Sequence, residues 1–331
     1  MLLILILIIV VSINQDIVTE SFLSSSELFL FHIMPMMFIY SILFDLLLKY
    51  NLTNIIPRKI KNFFKKIFHL NYESSILILL SSILIGNPLS IKTIMEKYHN
   101  DEIDYHEAKH LISFNNYLSL GFILSYVSGY LFKNIYVFFI IITSNIISNL
   151  LIAAFNYNPP KETNILNKKE INLINEFYSS TYKTVDSMFN IGAIIILSGI
   201  ILSLIRMLNL AFFDYIYPLL EITNGLYIFN NLNIDYSIKI SLISSFISFG
   251  SLSIHAQIYP YIKSIFSYKY YLKNRIISSF LSFLITYLFS QIVLYNKFIY
   301  KKTYLLIGML INIIFIVLLM IINKFTLNES S

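Results

Sequence analysis

Residues Ser74–Ile91 read SSILILLSSILIGNPLSI, a stretch with no charged side chain and with Gly86-Asn87-Pro88 set into an otherwise aliphatic run. It lacks the apolar/polar alternation of a barrel strand, and a lipid-facing backbone must satisfy its own hydrogen bonds, so the stretch is helical. Gly-Asn-Pro cannot continue a helix, so the chain must stop and restart there. An apolar helix broken in mid-run is the feature from which the fold follows.

Similar uncharged runs recur at Leu111–Phe132, Asn134–Pro160, Ser187–Ile205, Ile240–Ile262, Ile276–Asn296 and Thr303–Asn323. Most approach the roughly 20 residues that cross a bilayer. Leu28–Leu48 is the first clear span, with His32 and Pro35 near one end and Asp45, read as snorkelling to the interface, near the other. Over all 331 residues 57% are hydrophobic and 13% charged, against about 25% charged in a soluble domain. The fold class is therefore an all-α polytopic membrane protein of about eight spans, or nine if Met1–Ile13 crosses as well. That first segment has no basic residue ahead of it and no small-x-small cleavage site after it, which argues against a secretory signal.

The absence of cysteine excludes disulfides, thiolate metal sites and a cysteine nucleophile. With no Trp, the aromatic belt falls to Tyr. Lys49, Arg58, Lys59, Lys61, Lys65 and Lys66 precede the next acid, Glu73, so this segment is cytoplasmic by the positive-inside rule. Ile60, Phe63, Phe64, Ile67 and Phe68 alternate with those charges as on an amphipathic surface helix, which accounts for the basic run without nucleic acid.

A second broken segment, Ser244-Ser245-Phe246-Ile247-Ser248-Phe249-Gly250-Ser251-Leu252-Ser253-Ile254, aligns with Ser81–Ile91 at an offset of 163 residues. Both read Ser-Ser, six residues, Leu-Ser-Ile, and the same offset sets Tyr117-Leu118-Ser119 on Phe280-Leu281-Ser282. The chain thus reads as one transmembrane domain over 1–331, with a first half at 28–155, a connecting loop at 156–182 and a second half at 183–323. An odd number of spans per half inverts the second copy, and paired broken segments in such halves mark a transporter's midplane site. Two re-entrant helical hairpins are expected, with helix N-termini whose free N–H groups suit a carboxylate.

Gly86-Asn87-Pro88-Leu89-Ser90-Ile91-Lys92 resembles the Gly-x-Pro-x-Gly-x-Lys hairpin of the YlbJ-type sporulation integral membrane proteins, in the nucleoside-recognition gate group. Glu107-Ala108, Leu111–Asn116, Glu221-Ile222-Thr223-Asn224-Gly225 and Gly250–Gln257 are similar to later motifs of that family, in order. Ser90 stands where the family has Gly, and Ser119 near an expected Pro. The resemblance implies an architecture like that of concentrative nucleoside transporters. It also implies movement of dipicolinate from the mother cell across the outer forespore membrane of a spore-forming bacterium. No enzyme activity and no cofactor is expected. The implied partners are a small anionic substrate, the bilayer and a coupling ion, proton or sodium. A structural or assembly role in sporulation membranes is the alternative.

The candidate substrate-binding residues are Asn87, Pro88, Ser90, Lys92, Asn115, Asn116, Glu221, Thr223, Asn224, Gly250, Ser251, Ser253, His255 and Gln257. Lys92 is the cation that the hairpin motif sets beside a bound anion, and the Asn pair supplies amide groups at a depth where unsatisfied polar atoms are costly. Glu221 either titrates to couple protons or caps a helix. Ser253 and Gln257 share one helix face; His255 lies to its side. His106-Glu107-Ala108-Lys109-His110 also fits His-Glu-x-x-His, the helical zinc pattern of metalloproteases, but no third ligand is evident in the sequence. Both histidines are expected to be dispensable.

Overall fold

The computed structural model describes residues 2–49, 56–156, 159, 173–208 and 212–294, and among these the chain is helical with no strand. The predicted span Thr303–Asn323, and with it the end of the second half, lies outside the described residues. The helices are α1 (Leu2–Ile13), α2 (Gln15–Glu27), α3 (Met34–Lys49), α4 (Arg58–Phe68), α5 (Glu73–Ile85), α6 (Leu89–His99), α7 (Tyr105–Phe114), α8 (Ile135–Phe155) and α9 (Leu173–Arg206). They continue as α10 (Phe213–Leu220), α11 (Ile222–Asn230), α12 (Tyr236–Phe249), α13 (Leu252–Ile262) and α14 (Tyr268–Leu294). Two π-helical segments, Leu28–Ile33 and Phe122–Leu131, complete the path.

Five segments among the described residues are long and apolar enough to cross a bilayer: Gln15–Leu47, Ile135–Phe155, Ile174–Arg206, Tyr236–Ile262 and Tyr268–Val293. A multi-pass integral membrane protein follows. The count is lower than the sequence suggests because Thr303–Asn323 lies outside the described residues, Ser74–Ile91 is broken at Gly86 as its sequence requires, and Leu111–Phe132, expected as one span, is broken between Phe114 and Phe122. The span placed at Leu28–Leu48 begins earlier, since α2 runs without a gap through the π-helical turn into α3. The expected loop 156–182 is also shorter than its bounds, because α9 starts at Leu173.

The second broken segment departs from a hairpin, since Tyr236–Ile262 counts as one 27-residue spanning unit carried across Gly250. The first differs: α5 packs against α6 across its break.

The 163-residue spacing of the sequence motifs recurs in the helix boundaries. Glu73 and Tyr236 open α5 and α12, Leu89 and Leu252 open α6 and α13, His99 and Ile262 close them, and Tyr105 and Tyr268 open α7 and α14. The copies diverge after that point. α7 ends at Phe114, whereas α14 continues past the equivalent position as an unbroken helix.

α4 meets α5 at 80°. If α5 enters the bilayer, α4 lies nearly in its plane, as its amphipathic pattern requires. Ile67 and Phe68 are buried in the core, with Phe68 stacked 5.5 Å from Phe114, while Ile60 and Phe63 remain exposed. The carboxylate of Glu107, on α7, reaches back to the start of α5 and accepts Asn71 N–H at 3.1 Å. In the second copy the same end of α12 is capped locally, by Asp235 accepting from Ser237 and Ile238 N–H.

Candidate functional site

Gly86 ends α5 with φ +76°, in a region essentially restricted to glycine. Its open face is also occupied: a Cβ there would sit 2.2 Å from Ser119 N and 2.7 Å from Leu118 C, main-chain atoms of the non-helical stretch that follows α7. The first break is thereby packed backbone to backbone against residues 115–119. Asn87 N–H donates to Tyr117 O at 2.8 Å, which locks the two together.

Side chains extend this contact to the second half. Asn87 Nδ2 donates to Asn116 Oδ1 at 2.9 Å, and Ser90 Oγ donates to Asn87 Oδ1. Asn116 Nδ2 donates in turn to Ser248 O, in the last turn of α12 just before Gly250. Asn149 Nδ2, from α8, donates to Asn116 O at 2.9 Å, and Asn115 Nδ2 donates to Ser82 Oγ at 2.6 Å. All of these residues are buried, so each bond is made where water is not available to replace it.

A second polar row, which the sequence reading missed, backs the junction. Asn145 Oδ1 accepts from Ser248 Oγ at 2.5 Å and from Ser282 Oγ at 2.7 Å, Asn149 Oδ1 accepts from Ser278 Oγ at 3.1 Å, and Thr286 Oγ1 donates to Ser244 Oγ at 2.8 Å. The signal was present as i, i+4 spacing, in Asn145/Asn149, Ser244/Ser248 and Ser278/Ser282/Thr286, each set lining one face of α8, α12 or α14.

The remaining candidates fall elsewhere. Glu221 caps its own helix: Thr223 and Asn224 N–H donate to its two carboxylate oxygens at 2.8 and 2.7 Å. Thr223 O accepts from Tyr126 Oη at 2.6 Å, and Asn224 Oδ1 accepts from Ser25 Oγ at 3.3 Å, which ties this turn to α2 and the Phe122–Leu131 segment. His255 is satisfied at both nitrogens, one beside Phe249 O at 3.1 Å and the other beside Tyr268 Oη at 2.9 Å. It spans the Gly250 break. Ser251 and Ser253 bond to each other at 2.7 Å, and Gln257 is half-buried on the face of Ser253.

Lys92 lines a small, partly open cleft with Ser41, Asp45, Thr93, Lys183 and Thr184. Asp45 is ion-paired there, with Lys49 at 3.0 Å and Lys183 at 3.2 Å, and Lys183 goes on to Glu96 at 2.5 Å, joining α3, α9 and α6. Arg275, fully buried on α14 and passed over in the sequence, adjoins the start of the Asn115–Ser119 break: its Nη2 donates to Ser113 O at 2.6 Å.

Two of the His-Glu-x-x-His residues, Glu107 and His110, serve the α4–α5 corner. His110 Nε2 lies 2.7 Å from Phe68 O, Glu107 is engaged by Asn71, and His106 is exposed. Among the described residues no cluster of three His, Cys, Asp or Glu side chains is placed to hold a metal. The two histidines thus differ in setting, His110 buried and bonded and His106 exposed.

No family model, no curated protein and no solved structure matches this chain.

Proposed function

We propose that the protein is a transporter, not an enzyme, that moves a small anion across a bilayer through the junction of its two broken segments. The observation that carries this reading is the chain of bonds from Asn87 through Asn116 to Ser248, which brings both helix breaks to one buried, polar place. Broken helices are tolerated at membrane depth where they lie inside protein or line a path, and paired breaks in two halves are the pattern of secondary transporters. The recurring 163-residue helix boundaries support descent of the two halves from one duplicated unit, here taken as inverted.

The family resemblance supplies the first substrate to try, dipicolinate, and a setting, the outer forespore membrane of a sporulating cell. The test is flux: full-length protein in proteoliposomes should accelerate dipicolinate equilibration over protein-free vesicles, with a pH or sodium gradient identifying the coupling ion. Uridine flux without dipicolinate flux would reassign the substrate class. Absence of both, with the protein folded and correctly inserted, would favour a structural role in the membrane.

A further inference from the structure

We propose that Arg275 is the charge anchor of a binding site for a small carboxylate anion, located where α7 ends and the Asn115–Ser119 break begins. Its place on a permeation path rests on the transporter reading above; binding itself can be measured without flux.

Arg275 stands two turns into α14 with none of its surface exposed. Nη2 donates to Ser113 O, yet Nε and Nη1, which together carry three N–H bonds, have no hydrogen-bond partner. The ion pairs among the described residues involve Asp45, Glu73, Glu96, Glu102, Glu176 and Asp214, and none includes Arg275. One face of the guanidinium is covered by the Tyr271 ring, 5.0 Å from its centroid. Tyr117, in the break itself, lies within the electrostatic reach of Arg275, and its buried hydroxyl sits beside Asn149 without making a hydrogen bond of good geometry.

A purely structural role accounts for one bond, the tie from α14 to the end of α7. The carbonyl end of a helix presents about half a negative charge, so that tie leaves much of a full positive charge uncompensated in a low-dielectric interior. Buried donors without partners are rare, and an ionisable group at membrane depth is by default a functional one. Nε and Nη1 point from opposite edges of the guanidinium, so a carboxylate takes two parallel bonds by pairing one of them with the second N–H of Nη2, and the unpartnered Tyr117 hydroxyl is a further donor. The unmet requirements of Arg275 and Tyr117 are those of an anion with at least one carboxylate group.

The experiment uses full-length protein in nanodiscs at constant ionic strength, with acetate, benzoate, pyridine-2,6-dicarboxylate, phosphate and chloride as probes in thermal unfolding. At least one carboxylate should raise the melting temperature saturably, and phosphate and chloride should not match it. Arg275→Gln should weaken that affinity at least tenfold while melting, without ligand, no lower than wild type, since an uncompensated charge has been removed. Arg275→Lys should fall between. No carboxylate effect, an affinity unchanged in Arg275→Gln, or an equal effect of chloride overturns the proposal. Should Arg275→Gln fail to accumulate, Arg275→Lys decides: an unchanged affinity overturns it and a several-fold loss supports it. Arg275-dependent binding without flux would uphold the site and defeat the transporter reading; flux equal in wild type and Arg275→Gln would do the reverse.

Discussion

The side-chain amide of Asn116, in the break after α7, donates to the main-chain carbonyl of Ser248, so the first half of the chain is hydrogen-bonded to the last turn of α12 beside the second break. Asn116 also accepts from Asn87 and, through its own carbonyl, from Asn149. Asn116→Leu removes the donor and acceptor together and abolishes this one of the hydrogen bonds between the halves. The expected result is a loss of about 1–3 kcal/mol of stability, read by thermal unfolding in nanodiscs, with a larger loss of dipicolinate flux per folded molecule. Flux at the wild-type level would show that the junction is structural padding.

Gly86 and Gly250 both hold φ near +75°, but only Gly86 faces backbone at its missing Cβ. Gly250→Ala should cost about 1–3 kcal/mol from backbone strain alone. Gly86→Ala adds a collision with Ser119 and Leu118 that no rotamer relieves, and should reduce folded protein in membranes to a small fraction of wild type. Comparable accumulation of the two variants would refute the close approach.

Asn145 accepts from both Ser248 and Ser282. Asn145→Leu leaves two buried hydroxyls without that acceptor, a loss of about 1–2 kcal/mol for hydrogen bonds within a membrane bundle. Adding Ser248→Ala and Ser282→Ala should recover part of it. A triple variant less stable than the sum of its parts would mean that packing, not hydrogen bonding, sets the cost.

His106→Ala should be silent in stability and flux, because the side chain is exposed. His110→Ala should destabilise by about 1–3 kcal/mol, since it vacates a buried position and strips Phe68 O of a partner. A chelator should change neither variant. Loss of bound zinc together with loss of function in both would restore the metalloprotease reading.

Lys92 shares its cleft with Asp45 and Lys183. Lys92→Ala should lower dicarboxylate uptake several-fold at equal membrane level, and Lys92→Arg should retain part of it. Equal uptake in all three would make Lys92 a surface cation only.

What was legible in the sequence was whatever leaves a local mark. Pro88 forbids continued helix at Gly86-Asn87-Pro88 by its own chemistry, Gly250 weakens it, and the long Ile/Leu runs can only be helical in lipid. The break at Asn115–Ser119 contains neither Gly nor Pro and was read as part of a span. It depends on Gly86 lying against it and on Asn87, Asn116 and Asn149 taking up its polar groups, which are contacts between distant parts of the chain. Arg275 was hidden for a related reason. It directly precedes the uncharged run Ile276–Asn296 and so looks like a flanking charge, but α14 starts at Tyr268, which carries it two turns inward. Glu221 and His255 drew notice by residue type, and the structure gives both capping or bridging partners that sequence spacing does not reveal.

The contact between Gly86 and the main chain of Ser119 also bears on how this sequence can change over time. A clash between two side chains can be undone by shrinking the neighbour, so such pairs drift together. Here the neighbour is peptide backbone, common to every residue, and there is nothing on it to trim. Position 86 therefore has no compensating partner anywhere in the chain. Among descendants that keep this fold it should remain glycine even where the serines and asparagines around it are exchanged, and a library selected for folding should recover glycine there alone.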